Sequence, residues 1–147
     1  MPEMFQVLPP VEALKVLFDQ LSPNVMTENV DTAEALDRVL IEKLTAPSSL
    51  PSFPRSTMDG YAVRAKDTFG ATESLPAYLN VIGEVPMGRG FELEVGLAQA
   101  AIVYTGGMIP PGADAVVMVE RTQKLDAKNI EVLRAVAPGE NVIEVGE

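Results

Sequence analysis

Cysteine, histidine and tryptophan are all absent from this sequence, and aromatic residues make up only 5% of it. Without thiols or imidazoles there is no disulfide framework, no ordinary zinc or iron–sulfur site, and no Ser–His–Asp or Cys–His catalysis. Positive charge is also scarce: 11 basic residues face 21 acidic ones, a formal net charge of −10. Such a field repels phosphate backbones, and Arg64, Lys66, Arg89 and Arg121 sit apart rather than in a run, so no nucleic-acid partner is expected. No stretch approaches the ~18 apolar residues of a spanning helix. The opening MPEMFQVLPP has neither a basic region nor a long apolar one, so no secretory signal and no membrane partner are expected. The expected setting is cytoplasmic. What is present is ordinary for a globular protein: 47% apolar and 22% charged residues over 147 positions.

Glycine is missing from the first part of the chain: none of the eleven precedes Gly60, and seven fall between Gly83 and Gly112. Glycine serves turns and bulges, so the first part is expected to be helical and the rest turn-dense. Pro10 suits a first helical position, and Leu14, Leu17, Phe18 and Leu21 follow at helical spacing, with Ser22-Pro23 as a stop. A second helix is expected from a cap at Asp31 or Thr32, with Ala35, Leu36, Val39 and Leu40 on one face. Pro47, Pro51 and Pro54 then mark a stiff, extended connector. Beyond it the chain reads as short strands at 61–63, 78–85, 100–104, 115–119 and 130–136, the pattern of a small β-barrel or bent sandwich.

Two segments concentrate groups that could do chemistry. Ser56-Thr57-Met58-Asp59-Gly60-Tyr61 reads first as a hairpin turn, because Asp-Gly suits central positions with positive φ. The same turn could present the Asp59 carboxylate and the Ser56 and Thr57 hydroxyls, as ligands for a hard cation such as Mg²⁺ or as an acid or base. In the second segment, Thr105 ends an apolar strand just before Gly106-Gly107, where backbone amides and a hydroxyl could approach an anion. Asp114 and Glu120 read as structural residues, at a turn and a strand end. Met87-Gly88-Arg89-Gly90 lacks the third glycine and following helix of a dinucleotide fingerprint, and reads as a loop. Glu84, Glu92 and Glu94 read as a solvated acidic face.

Taken in order, the motifs resemble the N-terminal region of the MoeA family of molybdopterin molybdenumtransferases, which includes the corresponding part of gephyrin. The resemblance is carried by residues 31–40 (DTAEALDRVL), 50–53 (LPSF) and 56–63 (STMDGYAV). Thr105-Gly106-Gly107, Pro111 to Val117 with Glu120, and Pro138 to Val142 followed by Gly146-Glu147 extend it. Four positions depart from the family pattern. Asp37 stands where Gly is usual, Gly107 where Ala is usual, and Ile102 and Ile143 where Arg is common.

The resemblance implies a mainly β fold with N-terminal helices: bent or bifurcated sheets forming a compact β domain, plus an elongated helical and linker arm. It assigns an N-terminal helix to residues 1–25, a linker domain to 26–48 with 138–147, and the β-rich domain to 49–137. The N-terminal helix would pack on an α/β domain that holds the pterin in the longer family members, and the sequence is expected to be an excised fragment or split gene product, inactive alone. The implied activity is insertion of molybdate into adenylylated molybdopterin with release of AMP, in a homodimer, with Mg²⁺ bound mainly by the α/β domain of the longer members. Asp59 and Thr105 would be catalytic, Asp59 as the metal-binding carboxylate and Thr105 by a hydrogen bond to molybdate or a phosphate oxygen. Ser56 would contribute to substrate binding. The alternative is a docking and dimerisation module without chemistry of its own.

Overall fold

The computed structural model describes residues 7–22, 24–88 and 92–147. Pro23, and Arg89 and Gly90 of the expected loop, lie outside the described residues. The chain divides into two units, Met1–Thr45 and Ala46–Glu147.

Among its described residues the first unit holds one α-helix, α1 (Pro10–Gln20), with Pro10 in its first turn as expected. It ends where Leu21 turns extended while its N–H still reaches the carbonyls of Leu17 and Phe18. None of its residues is buried, and Leu17 and Phe18 are 52% and 66% exposed. The expected second helix does not form. Residues Thr32–Glu34 make a single 3₁₀ turn, and Asp37 takes φ of +63°, a left-handed conformation that stops a right-handed helix. Aspartate tolerates that conformation better than most residues, which explains how it stands at a position where the resemblance expects glycine. Of the expected apolar face, Leu36, Val39 and Leu40 are exposed and Ala35 is half-buried.

Among its described residues the second unit contains eight strands: β1 (Arg55–Ser56), β2 (Gly60–Val63), β3 (Ala77–Glu84), β4 (Gln99–Val103), β5 (Ala115–Met118), β6 (Thr122–Lys124), β7 (Asn129–Val132) and β8 (Val142–Ile143). Six form a curled sheet in the order β5-β2-β4-β3-β7-β6, and β1 pairs with β8 in a separate two-stranded sheet. All pairs are antiparallel except β3 with β4.

Both faces of the large sheet are covered, which is why its central strands read as unbroken apolar runs rather than alternating ones. Tyr61, Val63, Leu79, Ala100, Ala115, Val117, Ile130 and Val132 pack in one cluster. Their strand neighbours Ala62, Ala101, Val103 and Val116 pack in a second with Val85, Val95 and Ile109. The outer edge of β5 is closed by the return segment. There the Val116 N–H donates to Glu140 O at 3.0 Å and Asn141 Nδ2 donates to Val116 O at 2.8 Å. A covered edge cannot recruit a foreign strand.

The Asp59-Gly60 pair is not the central pair of a hairpin. Neither residue has positive φ, and β1 and β2 do not pair with each other. Gly60 instead opens β2 beside β5, where a Cβ would lie 2.0 Å from Val117 O. Close approach of two backbones, not turn geometry, requires glycine there.

Candidate functional site

Strand direction gathers the site. Gly60, the first residue of β2, pairs with Val103, the last of β4, and with Met118, the last of β5. Glu84, the last of β3, pairs with Ile102 across the parallel ladder. The segments 57–59, 85–88, 104–107 and 119–121 therefore all leave the sheet at one end. A register shift between Val81 and Gly83 sets Glu84 level with Ile102 and hence with Tyr61.

At that end Asp59 and Thr105, 46 positions apart, come together. The Thr105 N–H donates to Asp59 Oδ1 at 2.7 Å, and the Thr105 hydroxyl donates to the same oxygen at 2.8 Å. Both residues are exposed. The amide bond and then the hydroxyl bond hold the Asp59 carboxyl below the usual aspartate range, against a smaller desolvation effect. Hydrogen bonds to the charged form favour that form, so the group is ionised at neutral pH. Among the described residues no donor reaches Oδ2.

The backbone beneath is tied on three sides. Asp59 O accepts the Val119 N–H at 3.1 Å, and the Thr57 N–H donates to Asn141 O at 3.0 Å. Ser56 bridges to the 104–107 turn: its N–H donates to Gly107 O and its O accepts the Gly106 N–H, both at 2.8 Å. The turn itself closes by the Gly107 N–H donating to Tyr104 O at 2.7 Å. Ser56 is only 1% exposed, and its hydroxyl gives its proton to Met58 O at 2.5 Å while accepting the Met58 N–H at 3.2 Å. The structure thus buries the residue to which the resemblance gave substrate contact, and its hydroxyl is engaged within its own loop.

Two neighbours escape sequence reasoning. Tyr104 is 40% exposed, and its phenol is held above the ordinary tyrosine value, first by the negative charge of Glu84 and then by desolvation, with a lesser push from Asp59. Glu84 therefore belongs to this end of the sheet and is not merely part of a solvated face with Glu92 and Glu94. No local signal marks it: its place depends on a register shift inside β3 and on parallel pairing with a later strand.

Asp114 is structural. Its Oδ1 accepts the Ala65 N–H at 2.6 Å, its N–H donates to Val63 O at 3.0 Å, and its O accepts the Gly139 N–H at 2.7 Å. Glu120 lies exposed in a 3₁₀ turn, Val119–Arg121, at the same end as Asp59. Ile102 and Ile143, at positions where the resemblance expects arginine, are half-buried, Ile102 packed against the core and Ile143 paired with Arg55.

A divalent cation finds only part of a site here. Among the described residues no three acidic side chains converge in a metal-holding group. Mg²⁺ commonly takes one or two carboxylates and completes its shell with water and substrate phosphates. Asp59, ionised and exposed with one oxygen pinned, fits the role of such a single ligand.

The sequence profile described as the MoeA N-terminal region (domain I and II) matches residues 8–147. The molybdopterin molybdenumtransferase of Bacillus subtilis is 40% identical over 124 residues, which cover 82% of this chain and 29% of that protein. The molybdopterin molybdenumtransferase of Haemophilus influenzae is 35% identical over 136 residues, covering 92% of this chain and 32% of that protein. The crystal structure of a molybdopterin biosynthesis MoeA protein from Pyrococcus horikoshii superposes with a TM-score of 0.77 at 44% identity, over 97% of this chain and 37% of that one. The chain thus spans about a third of the length of these relatives. No helix among the described residues is long and apolar enough to cross a membrane.

Proposed function

We propose, from the premise that this chain belongs to the MoeA family as its N-terminal region, that it serves the insertion of molybdate into adenylylated molybdopterin with release of AMP. One observation carries the reading: an exposed carboxylate, Asp59, held ionised and oriented by Thr105 at the strand-end site. The relatives named above as molybdopterin molybdenumtransferases support the substrate class.

In this reading the β-rich unit supplies orientation rather than grip. The scaffold is stiff because both sheet faces are packed, so a side chain rooted at its end keeps its place. A negative chain with a negative group at its tip repels anionic substrates by itself, and a divalent cation between them reverses that sign. Mg²⁺ bound at Asp59 would neutralise charge on the molybdate and phosphate oxygens. The chain's own part is to hold Asp59 ionised, outward and fixed. Binding of the pterin falls to other parts of the family fold, in the cytoplasm, and in a homodimer whose second subunit faces this site.

The second reading, a docking module without chemistry, draws on α1, whose apolar side chains are exposed along its length. The two readings part in a cell lacking its molybdopterin molybdenumtransferase. The native protein that carries this chain restores cofactor under the enzyme reading, and Asp59→Asn abolishes the rescue while the chain stays folded, its thermal midpoint lowered only by the loss of the charged acceptor. Full rescue by Asp59→Asn contradicts the role of the carboxylate, and no rescue by the unaltered protein favours docking.

A further inference from the structure

Thr105 has a choice of roles that its hydroxyl cannot fill together. A threonine hydroxyl carries one proton. Here that proton is directed to Asp59 Oδ1 at 2.8 Å, beside the bond from the Thr105 amide at 2.7 Å. Hydrogen bonds to an ionised acceptor are roughly twice as strong as neutral ones. To donate to a molybdate or phosphate oxygen, Thr105 would have to release a carboxylate whose charge it satisfies. That exchange is unfavourable.

We propose that Thr105 is a positioning residue: it acts through Asp59, pinning Oδ1 so that Oδ2 is presented outward, and does not itself bind the substrate anion. This rests on the reading of Asp59 given above and deepens it. The terminal torsion of an aspartate is broad, so an unpinned carboxylate samples many orientations. Two donors from one residue on one oxygen select among them. The donors are themselves fixed, since Gly106 and Gly107 are bonded to Ser56 and Gly107 is bonded to Tyr104. Buried Ser56, with its hydroxyl closed onto Met58, braces the same loop from behind.

The test is a double-mutant cycle in the native protein that carries this chain, with Thr105→Ser, Thr105→Val, Asp59→Asn and the Thr105→Val/Asp59→Asn pair. Steady-state kinetics use molybdate and adenylylated molybdopterin. Thr105→Ser keeps the hydroxyl and retains activity. Thr105→Val lowers kcat by up to about 100-fold, the scale of a misplaced catalytic group, with KM for both substrates unchanged. The paired variant is no slower than Asp59→Asn alone, because a residue that acts through Asp59 has nothing left to act on. A rise in KM for either substrate without loss of kcat in Thr105→Val overturns the proposal, as does a paired variant slower than Asp59→Asn by the full Thr105→Val factor.

A second readout is independent of turnover. In ¹H–¹⁵N spectra of the 147-residue chain the Thr105 amide proton, bonded to a carboxylate, resonates downfield and moves upfield in Asp59→Asn. A Thr105 amide indifferent to that change overturns the pinning even if Asp59→Asn is inactive. An active Asp59→Asn with the amide shift intact instead strikes the functional reading.

Discussion

The two units use apolar residues in opposite ways. In Ala46–Glu147 nearly every apolar strand residue is covered: Ala62, Val63, Ala100, Ala101, Val103, Val116 and Val117 have essentially no exposure. In Met1–Thr45 the apolar residues are as frequent, but nearly all the described ones lie open, with no buried residue in α1 and Val39 95% exposed. Apolar spacing is therefore a guide to which face could be buried, not to whether something covers it. An 11-residue helix is marginal in water without tertiary packing, so α1 draws little stability from its own sequence. The β unit, by contrast, carries enough buried area to hold a side chain in place at its end.

That contrast predicts a graded set of responses in the 147-residue chain. The largest comes from Gly60→Val, which drives a branched side chain into Val117 O and costs about 3 kcal/mol or more, the upper range for overpacking. Chemical denaturation shows the loss, and a variant as stable as the parent contradicts the close approach of β2 and β5. Thr68→Val is next. Thr68 is fully buried, its hydroxyl donates to Ala65 O at 2.8 Å, and it accepts the Val136 N–H at 3.1 Å. Leaving that N–H without a partner costs about 1–3 kcal/mol, read as a lower denaturation midpoint.

Leu17→Ala on α1 makes the sharp contrast. It removes as large a side chain as many core substitutions, yet the midpoint shifts by less than about 0.5 kcal/mol, as for an ordinary surface change. A loss of several kcal/mol there would show that the helix is covered in solution. The smallest effect is at Asp126, whose carboxyl is held below the usual range first by the Asn129 side chain and then by the Lys128 and Asn129 backbone amides. A depressed folded value stabilises above the ordinary aspartate range, and the benefit fades as pH falls through the lower folded value. Asp126→Asn therefore differs from the parent most at neutral pH and converges with it in acid. Two denaturation curves with a gap that widens in acid would contradict this.

Much of the β unit could be read from composition and pattern because its five longer strands are apolar or alternating segments bounded by turn residues. Strands β1, β6 and β8 could not, since they are two or three residues long and exist only through their partners. The second helix was expected from spacing that ignores the backbone at Asp37, where one left-handed residue ends the matter. Asp-Gly at 59–60 signals a turn by local statistics, yet the glycine answers to Val117, 57 positions away, through the pairing of β2 with β5. Asp59 and Thr105 could each be singled out by residue type and family resemblance. Their bond could not, because it is made by the end-to-end register of β2 and β4. Glu84 and Tyr104 were out of reach for the same reason, with a bulge added.

Thr105 holds Asp59 as an oriented, ionised carboxylate. Its most direct measure is the pH titration of the Asp59 side-chain carboxyl by NMR, in the parent chain and in Thr105→Val. The parent value lies below that of an ordinary aspartate and returns toward it when the hydroxyl is removed. An ordinary value in the parent, or one indifferent to Thr105→Val, would contradict it.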